Sequence, residues 1–199
     1  MKLYTSPGSC SSASHIALIE GGIGFEAVIV DLRGDRTLAD GRQFKDINPK
    51  NYVPVLELDN GELLTENVAV LQYIADQAPD SGLAPPAGTL ARYRLEEWLG
   101  FINSEVHKTI GNFFNPDLPA EMRPYVTGKL DDRFGYIDAQ LDGKAYLMGD
   151  TFTVADAYLY IVSTWAPMVN YDLSGFTNVL AWQERVGNRP SIQAAKKAA

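Results

Sequence analysis

The 199-residue chain is poor in the groups on which several functions depend. It has one cysteine, Cys10, which excludes an intrachain disulfide framework and suits a reducing compartment. Its two histidines, His15 and His107, form no metal-ligand spacing with that cysteine, so no metal site is expected. Positive charge is scarce: 17 Lys and Arg stand against 25 Asp and Glu, a net charge of −8. The cations are scattered, which argues against a nucleic-acid partner but not against a small anion held by a few local donors. The most apolar uncharged stretch lies between Asp156 and Asp172. It is interrupted by Ser163, Thr164, Pro167 and Asn170 and is too short to span a bilayer, so no membrane partner is expected. Met1-Lys2-Leu3-Tyr4 enters a strand pattern without the apolar core of a signal peptide, and the cytoplasm is the expected location. Internal repeats, low-complexity tracts, a phosphate-cradling glycine motif and a Ser-His-Asp signature are all missing.

What remains is ordinary globular material, 46% hydrophobic and 21% charged, able to bury a core. Lys2 to Thr5 reads as a strand ended by Pro7-Gly8, followed by a helix from Ser9 to Glu20 with Gly21-Gly22 as its stop. Glu26 to Asp31 is a β-branched strand of the buried type, and Arg33 to Asp46 is a polar loop with a weak helix. Val55-Leu56-Glu57-Leu58 and Leu63-Leu64 flank Asp59-Asn60-Gly61, a hairpin signal; a helix from Glu66 to Gln77 follows. The order is β-α-β-α-β-β-α. Pro79 to Gly88, with three prolines and two glycines, reads as an interdomain linker. Beyond it every segment is helical: Leu90 to Phe114 as one long helix, Glu121 to Leu141, an apolar helix opened by a capping box at Thr153 and Asp156, Asn178 to Asn188, and Ser191 to Lys197. The expected division is 1–78, an α/β domain; 79–88, a linker; and 89–199, an all-α helical bundle.

Four features carry chemistry. Cys10 sits where a strand hands over to a helix, and the bare amides and positive dipole end of a helix N-terminus favour a thiolate. The bland alternative is a small buried apolar side chain. No second cysteine follows, because positions 11 to 13 are Ser, Ser and Ala, so any redox step needs an external thiol. Val53-Pro54 is either a proline excused from the ladder at a strand end or a cis peptide that opens the Val53 backbone to a peptide-like ligand. Glu66-Asn67 opens a helix whose amides suit a carboxylate while Glu66 takes an ammonium; the alternative is an acid capping its own helix. His107 shares a stripe of small and polar side chains with Gly100, Asn103, Ser104 and Gly111, either a substrate groove or a solvated face. For His15 a packing or capping role is favoured.

Together these residues resemble the bacterial beta class of cytosolic glutathione transferases, over essentially the whole chain. The resemblance is carried by Pro7-Gly8-Ser9-Cys10-Ser11 with Ala13-Ser14-His15, Asn48-Pro49-Lys50 ahead of Val53-Pro54, Leu64-Thr65-Glu66, Glu105-Val106-His107-Lys108 and Phe152-Thr153-Val154-Ala155-Asp156-Ala157. It implies a thioredoxin-like βαβαββα domain before a helical bundle, with glutathione as co-substrate, no tightly bound cofactor, and a homodimer. Cys10 would lie beside the glutathione sulfur and form a mixed disulfide with it. Val53, before Pro54, would pair through its backbone with the cysteinyl part, and Glu66 with Asn67 would grip the γ-glutamyl end. Ser104, Glu105 and His107 would border the site, His107 in the catalytic region. The sequence departs from the class at Thr5, at Gly100, at Asn67 and in the second-strand loop, where Arg36 is the nearest cation to a missing glutathione-contacting lysine. Thr5, Gly100 and Gly111 are the expected substrate groove.

The implied function is conjugation of glutathione to a small hydrophobic electrophile, with thiol-disulfide exchange through Cys10 beside it. Two alternatives stay open at this point: a non-catalytic glutathione or ligand carrier on the same scaffold, and a specialised glutathione-dependent lyase or dehalogenase.

Overall fold

A computed structural model of the chain describes residues 1–197. It divides between Ala84 and Pro85 into two compact units. The first holds a four-stranded sheet of order β2-β1-β3-β4, built from β1 (Lys2–Thr5), β2 (Glu26–Ile29), β3 (Val55–Glu57) and β4 (Leu63–Thr65). β1 pairs parallel to β2 and antiparallel to β3, and β3 pairs antiparallel to β4 with Leu56 opposite Leu64. Gly61, at φ +84°, closes the hairpin, and the Leu58 amide donates to Glu62 O at 2.9 Å. Alternation along β1 sends Leu3 and Tyr4 to opposite faces, both fully buried. Tyr4 joins Val30, Leu38, Phe44, Val53 and Val55 in one cluster, Phe44 coming from the short helix α2 (Phe44–Ile47).

Two longer helices cover the sheet. α1 (Ser11–Glu20) buries Ala13, Ile16, Ala17 and Leu18; α3 (Asn67–Gln77) buries Val70, Leu71, Ile74 and Ala75 and packs beside α1. Strand β2 corrects the sequence reading. Its Glu26, Ala27 and Ile29 are exposed, because it is the edge of the sheet and pairs on one side only.

The second unit is helical. α4 (Leu90–Phe101) is capped by Thr89, whose hydroxyl accepts from the Arg92 amide at 3.2 Å. The long helix read from Leu90 to Phe114 is in fact composite. A π-helical segment spans Ile102–His107, then come α5 (Lys108–Gly111) and a 3₁₀ turn at Asn112–Phe114. The apolar period of these residues does not distinguish i→i+5 from i→i+4 bonding, so the inserted register was invisible in the sequence.

α6 (Arg123–Leu141), α7 (Val154–Ser163) and α8 (Thr177–Gly187) complete this unit. All ten residues of α7 are buried, as its all-round apolar character requires. Asp156 anchors its start: the carboxylate accepts from the Thr153 amide (3.0 Å), the Thr153 hydroxyl (3.0 Å), the Leu147 amide (2.9 Å) and Trp182 Nε1 (2.9 Å). Burial pushes this carboxyl above its usual range while those donors pull it back.

The expected helical domain of 89–199 extends too far. The compact second unit stops at Arg189, and α9 (Pro190–Lys197) belongs with the first. The Ser191 hydroxyl donates to Glu20 Oε1 at 2.6 Å, and Ile192 and Ala195 are buried as α9 packs along α1. Its amphipathic face therefore finds cover on a helix far away in sequence.

Candidate glutathione site

The corner between β1 and α1 is tied by its hydroxyls. Ser11 Oγ lies 2.8 Å from Thr5 Oγ1 and 2.7 Å from Ser9 Oγ, and it accepts from the Ser6 amide at 3.0 Å. Ser9 Oγ donates to Ser6 O at 2.7 Å, and the Gly8 amide donates to Ser12 Oγ at 3.1 Å. These serines fasten the loop rather than cap the helix, and α1 begins at Ser11 with Cys10 in the cap position. Cys10 is half-buried, and its Sγ lies 3.6 Å from Val53 O, to which the thiol donates. Val53-Pro54 is a cis peptide. Thr5, expected to line a groove, is only 2% exposed; its hydroxyl is engaged by Ser11 instead.

Glu66 occupies the N-cap position of α3 without a side-chain cap bond, at φ 70° and ψ 117°, an unusual backbone position that costs about 1–3 kcal/mol for a residue with a side chain. Its carboxylate receives Lys50 Nζ at 2.6 Å, and Lys50 also donates to Thr65 Oγ1 at 3.1 Å. Both partners of this ion pair are well exposed, so it adds little to stability. Asn67 is buried, and its Oδ1 accepts from Ser14 Oγ at 2.8 Å. The Asn67 side chain thus points inward, and only its backbone amide stands at the open turn of α3. Arg36, at φ 62°, donates through Nη1 to Asn51 O at 2.6 Å, and Asn51 itself sits at φ 58°. Three of the four non-glycine residues with positive φ among the described residues are therefore Arg36, Asn51 and Glu66, all in this region.

Sequence reasoning left Lys50 and Asn51 out of the site. Lys50 was legible as a motif residue only. Asn51 carries a buried Oδ1 without a hydrogen-bond partner, an orphan that pattern alone does not reveal.

In the second unit Ser104, Glu105 and His107 lie on the π-helical segment, a feature common at functional sites. Ser104 is exposed and its hydroxyl donates to Gly100 O at 3.0 Å. Glu105 Oε2 accepts from Arg133 Nη2 at 2.6 Å and Nε at 3.1 Å. His107 Nδ1 is 2.6 Å from the Tyr158 hydroxyl, and its ring stands edge-on to Trp165 at 4.9 Å. Burial, with the neighbouring Lys108 charge, lowers its pKa to about 4, so the imidazole is neutral at neutral pH. A Cβ on Gly100 or Gly111 would meet nothing within 4 Å, so packing does not require either glycine. His15 takes the packing role expected of it, 8% exposed and edge-on to Phe25 at 5.0 Å. Among the described residues no cluster of three or more His, Cys, Asp or Glu could hold a metal, and no helix is long and apolar enough to cross a membrane.

A four-stranded mixed sheet with a thiol at its first strand-helix corner, followed in the chain by a helical unit, is a thioredoxin-like domain joined to an all-helical one. The comparisons agree. Residues 8–77 match the glutathione S-transferase N-terminal domain, and residues 101–190 match the glutathione S-transferase C-terminal domain. The chain belongs to the glutathione S-transferase family. It is 43% identical over 198 residues to glutathione S-transferase GstA of Escherichia coli O157:H7, covering 100% of this chain and 98% of that protein.

Among solved structures, it is similar to the bacterial beta-class glutathione S-transferase of Sphingomonas chungbukensis: 45% identity, TM-score 0.94, 100% of this chain and 98% of that one. A sphingomonad glutathione S-transferase complexed with glutathione is similar at 44% identity and TM-score 0.95, with the same coverage. This is a glutathione transferase of the bacterial beta type.

Proposed function

We propose that the enzyme conjugates glutathione to small hydrophobic electrophiles, with glutathione as a dissociable co-substrate and thiol-disulfide exchange at Cys10 as a second activity. The observation that carries this reading is the meeting of the Cys10 thiol with the Val53 carbonyl, 3.6 Å apart, ahead of Pro54. An extended tripeptide would pair there with the Val53 backbone, its sulfur beside Cys10. The γ-glutamyl carboxylate would meet the first amides of α3, and its ammonium would compete with Lys50 for Glu66. Arg36 would act from the second-strand loop by holding the Asn51 backbone.

In conjugation the glutathione sulfur attacks an electrophilic carbon, a C–S bond forms, the leaving group departs with the bonding pair, and the thiol proton passes to solvent. In exchange, the sulfur of Cys10 attacks a glutathione disulfide and releases one glutathione thiolate, leaving a mixed disulfide. By the resemblance to the family, Ser104, Glu105 and His107 would serve the transferase reaction, and Gly100 and Gly111 the choice of electrophile. A homodimer in the cytoplasm is the proposed working form.

Retention on immobilised glutathione, followed by assay with 1-chloro-2,4-dinitrobenzene and with a glutathione mixed disulfide, tests the reading. Binding with turnover of either substrate supports it. Binding without turnover of any electrophile, peroxide or disulfide would leave a carrier instead.

A further inference from the structure

Tyr158 lies in α7 with no exposed surface, yet its hydroxyl reaches two side chains of the π-helical segment. His107 Nδ1 is 2.6 Å away and Asn103 Oδ1 is 3.0 Å away. A carboxamide oxygen only accepts, so the phenol proton is directed to Asn103. The phenol oxygen then accepts from His107, and Nδ1 must carry the imidazole proton.

We propose that Tyr158 and Asn103 are positioning residues for the transferase reaction, which lock His107 as its neutral Nδ1–H tautomer and leave Nε2 as the only acceptor nitrogen of the ring. The proposal rests on the reading that His107 serves the reaction. Free histidine prefers the opposite tautomer, with the proton on Nε2, so the lock does something the ring alone would not. The ring plane is fixed as well, edge-on to Trp165 at 4.9 Å and to Tyr158 at 5.8 Å. Burial beside Lys108 keeps the imidazole uncharged at neutral pH, so a tautomer choice exists to be made. Asn103 and His107, four residues apart on the π segment, converge on the same hydroxyl. A neutral imidazole held in this way accepts a hydrogen bond at Nε2 from a ligand thiol or N–H and cannot donate one there.

The test is ¹⁵N-detected imidazole NMR on the full chain at neutral pH, with the His107 signals assigned by loss in His107→Asn. The wild type should show a protonated Nδ1 and an unprotonated Nε2. Tyr158→Phe should shift the ring toward the Nε2–H form and lower kcat with 1-chloro-2,4-dinitrobenzene on the order of tenfold, the direction expected when a histidine is left in the wrong tautomer. Should Tyr158→Phe fail to fold, Asn103→Leu, on the half-buried side of the relay, should give the same tautomer change, and Asn103→Asp should keep the wild-type signature. An Nε2–H wild-type spectrum, or a spectrum and kcat unchanged in both Tyr158→Phe and Asn103→Leu, overturns the lock. A wild-type rate in His107→Asn overturns instead the reading that His107 takes part in turnover, whatever the spectrum shows.

Discussion

The Cys10 corner and the His107 segment each tie their functional group to a residue far away in sequence, but in different surroundings. At Cys10 the loop is fastened by short ties among the hydroxyls of Thr5, Ser9 and Ser11, the thiol itself reaches Val53 O 43 residues on, and an exposed Lys50–Glu66 pair stands beside the opening of α3. At His107 the ties are long-range and buried, reaching Tyr158 51 residues away and Trp165. The first region keeps an exposed ion pair whose partners can be exchanged. The second is arranged to keep one neutral ring still.

Substitutions in the two regions should differ in what they cost. The largest effect should come from the buried anchor of the helical unit. Asp156→Ala leaves the Leu147 amide, the Thr153 amide and hydroxyl, and Trp182 Nε1 without their acceptor, and urea unfolding should show a loss of about 3–5 kcal/mol. A loss below about 1 kcal/mol would mean the anchor is not structural.

At the exposed corner the same kind of truncation should spare stability and cost binding. Glu66→Ala should weaken glutathione by roughly 1.5–3 kcal/mol in calorimetry, the range for a charged hydrogen bond. An unaltered dissociation constant would remove Glu66 from the site.

Next in size is a pH effect confined to the second region. Unfolded His107 binds a proton near pH 6.5, whereas the folded ring does so only near pH 4. Between these values the unfolded state holds more protons, so stability is present above pH 6.5 and is lost as pH falls toward 4. Comparing pH 7 with pH 5, the wild type should lose about 2 kcal/mol more than His107→Asn. Equal losses would place the ring in contact with water.

The smallest effect concerns the glycines. Gly100→Ala has open space for its methyl group and should stabilise the chain by about 0.5–1 kcal/mol, read as a higher urea midpoint. A destabilised variant would show that something packs there.

The same contrast explains what was legible in the sequence. Hairpin, turn and cap signals are local, so Asp59-Asn60-Gly61, Thr153 with Asp156, and the Cys10 corner could be read from neighbours alone. Strand β2 was misread because a β-branched run looks the same in the centre of a sheet and at its edge. Helix α9 was assigned to the wrong unit because its partner, Glu20, lies 171 residues away from Ser191. The resemblance puts Thr5 in a groove, whereas the residue is buried and its hydroxyl turns to Ser11. The π-helical segment and the Tyr158 contact depend on backbone register and on tertiary packing, and neither leaves a mark in residue spacing.

On the proposed reading, the Cys10 corner receives the sulfur of glutathione. A crystal soaked with reduced glutathione tests it most directly. The tripeptide should lie extended along Val53, its sulfur in contact with Cys10 Sγ and its γ-glutamyl end at Glu66 and the Asn67 amide. Glutathione bound elsewhere on the chain, with that corner left to solvent, would contradict it.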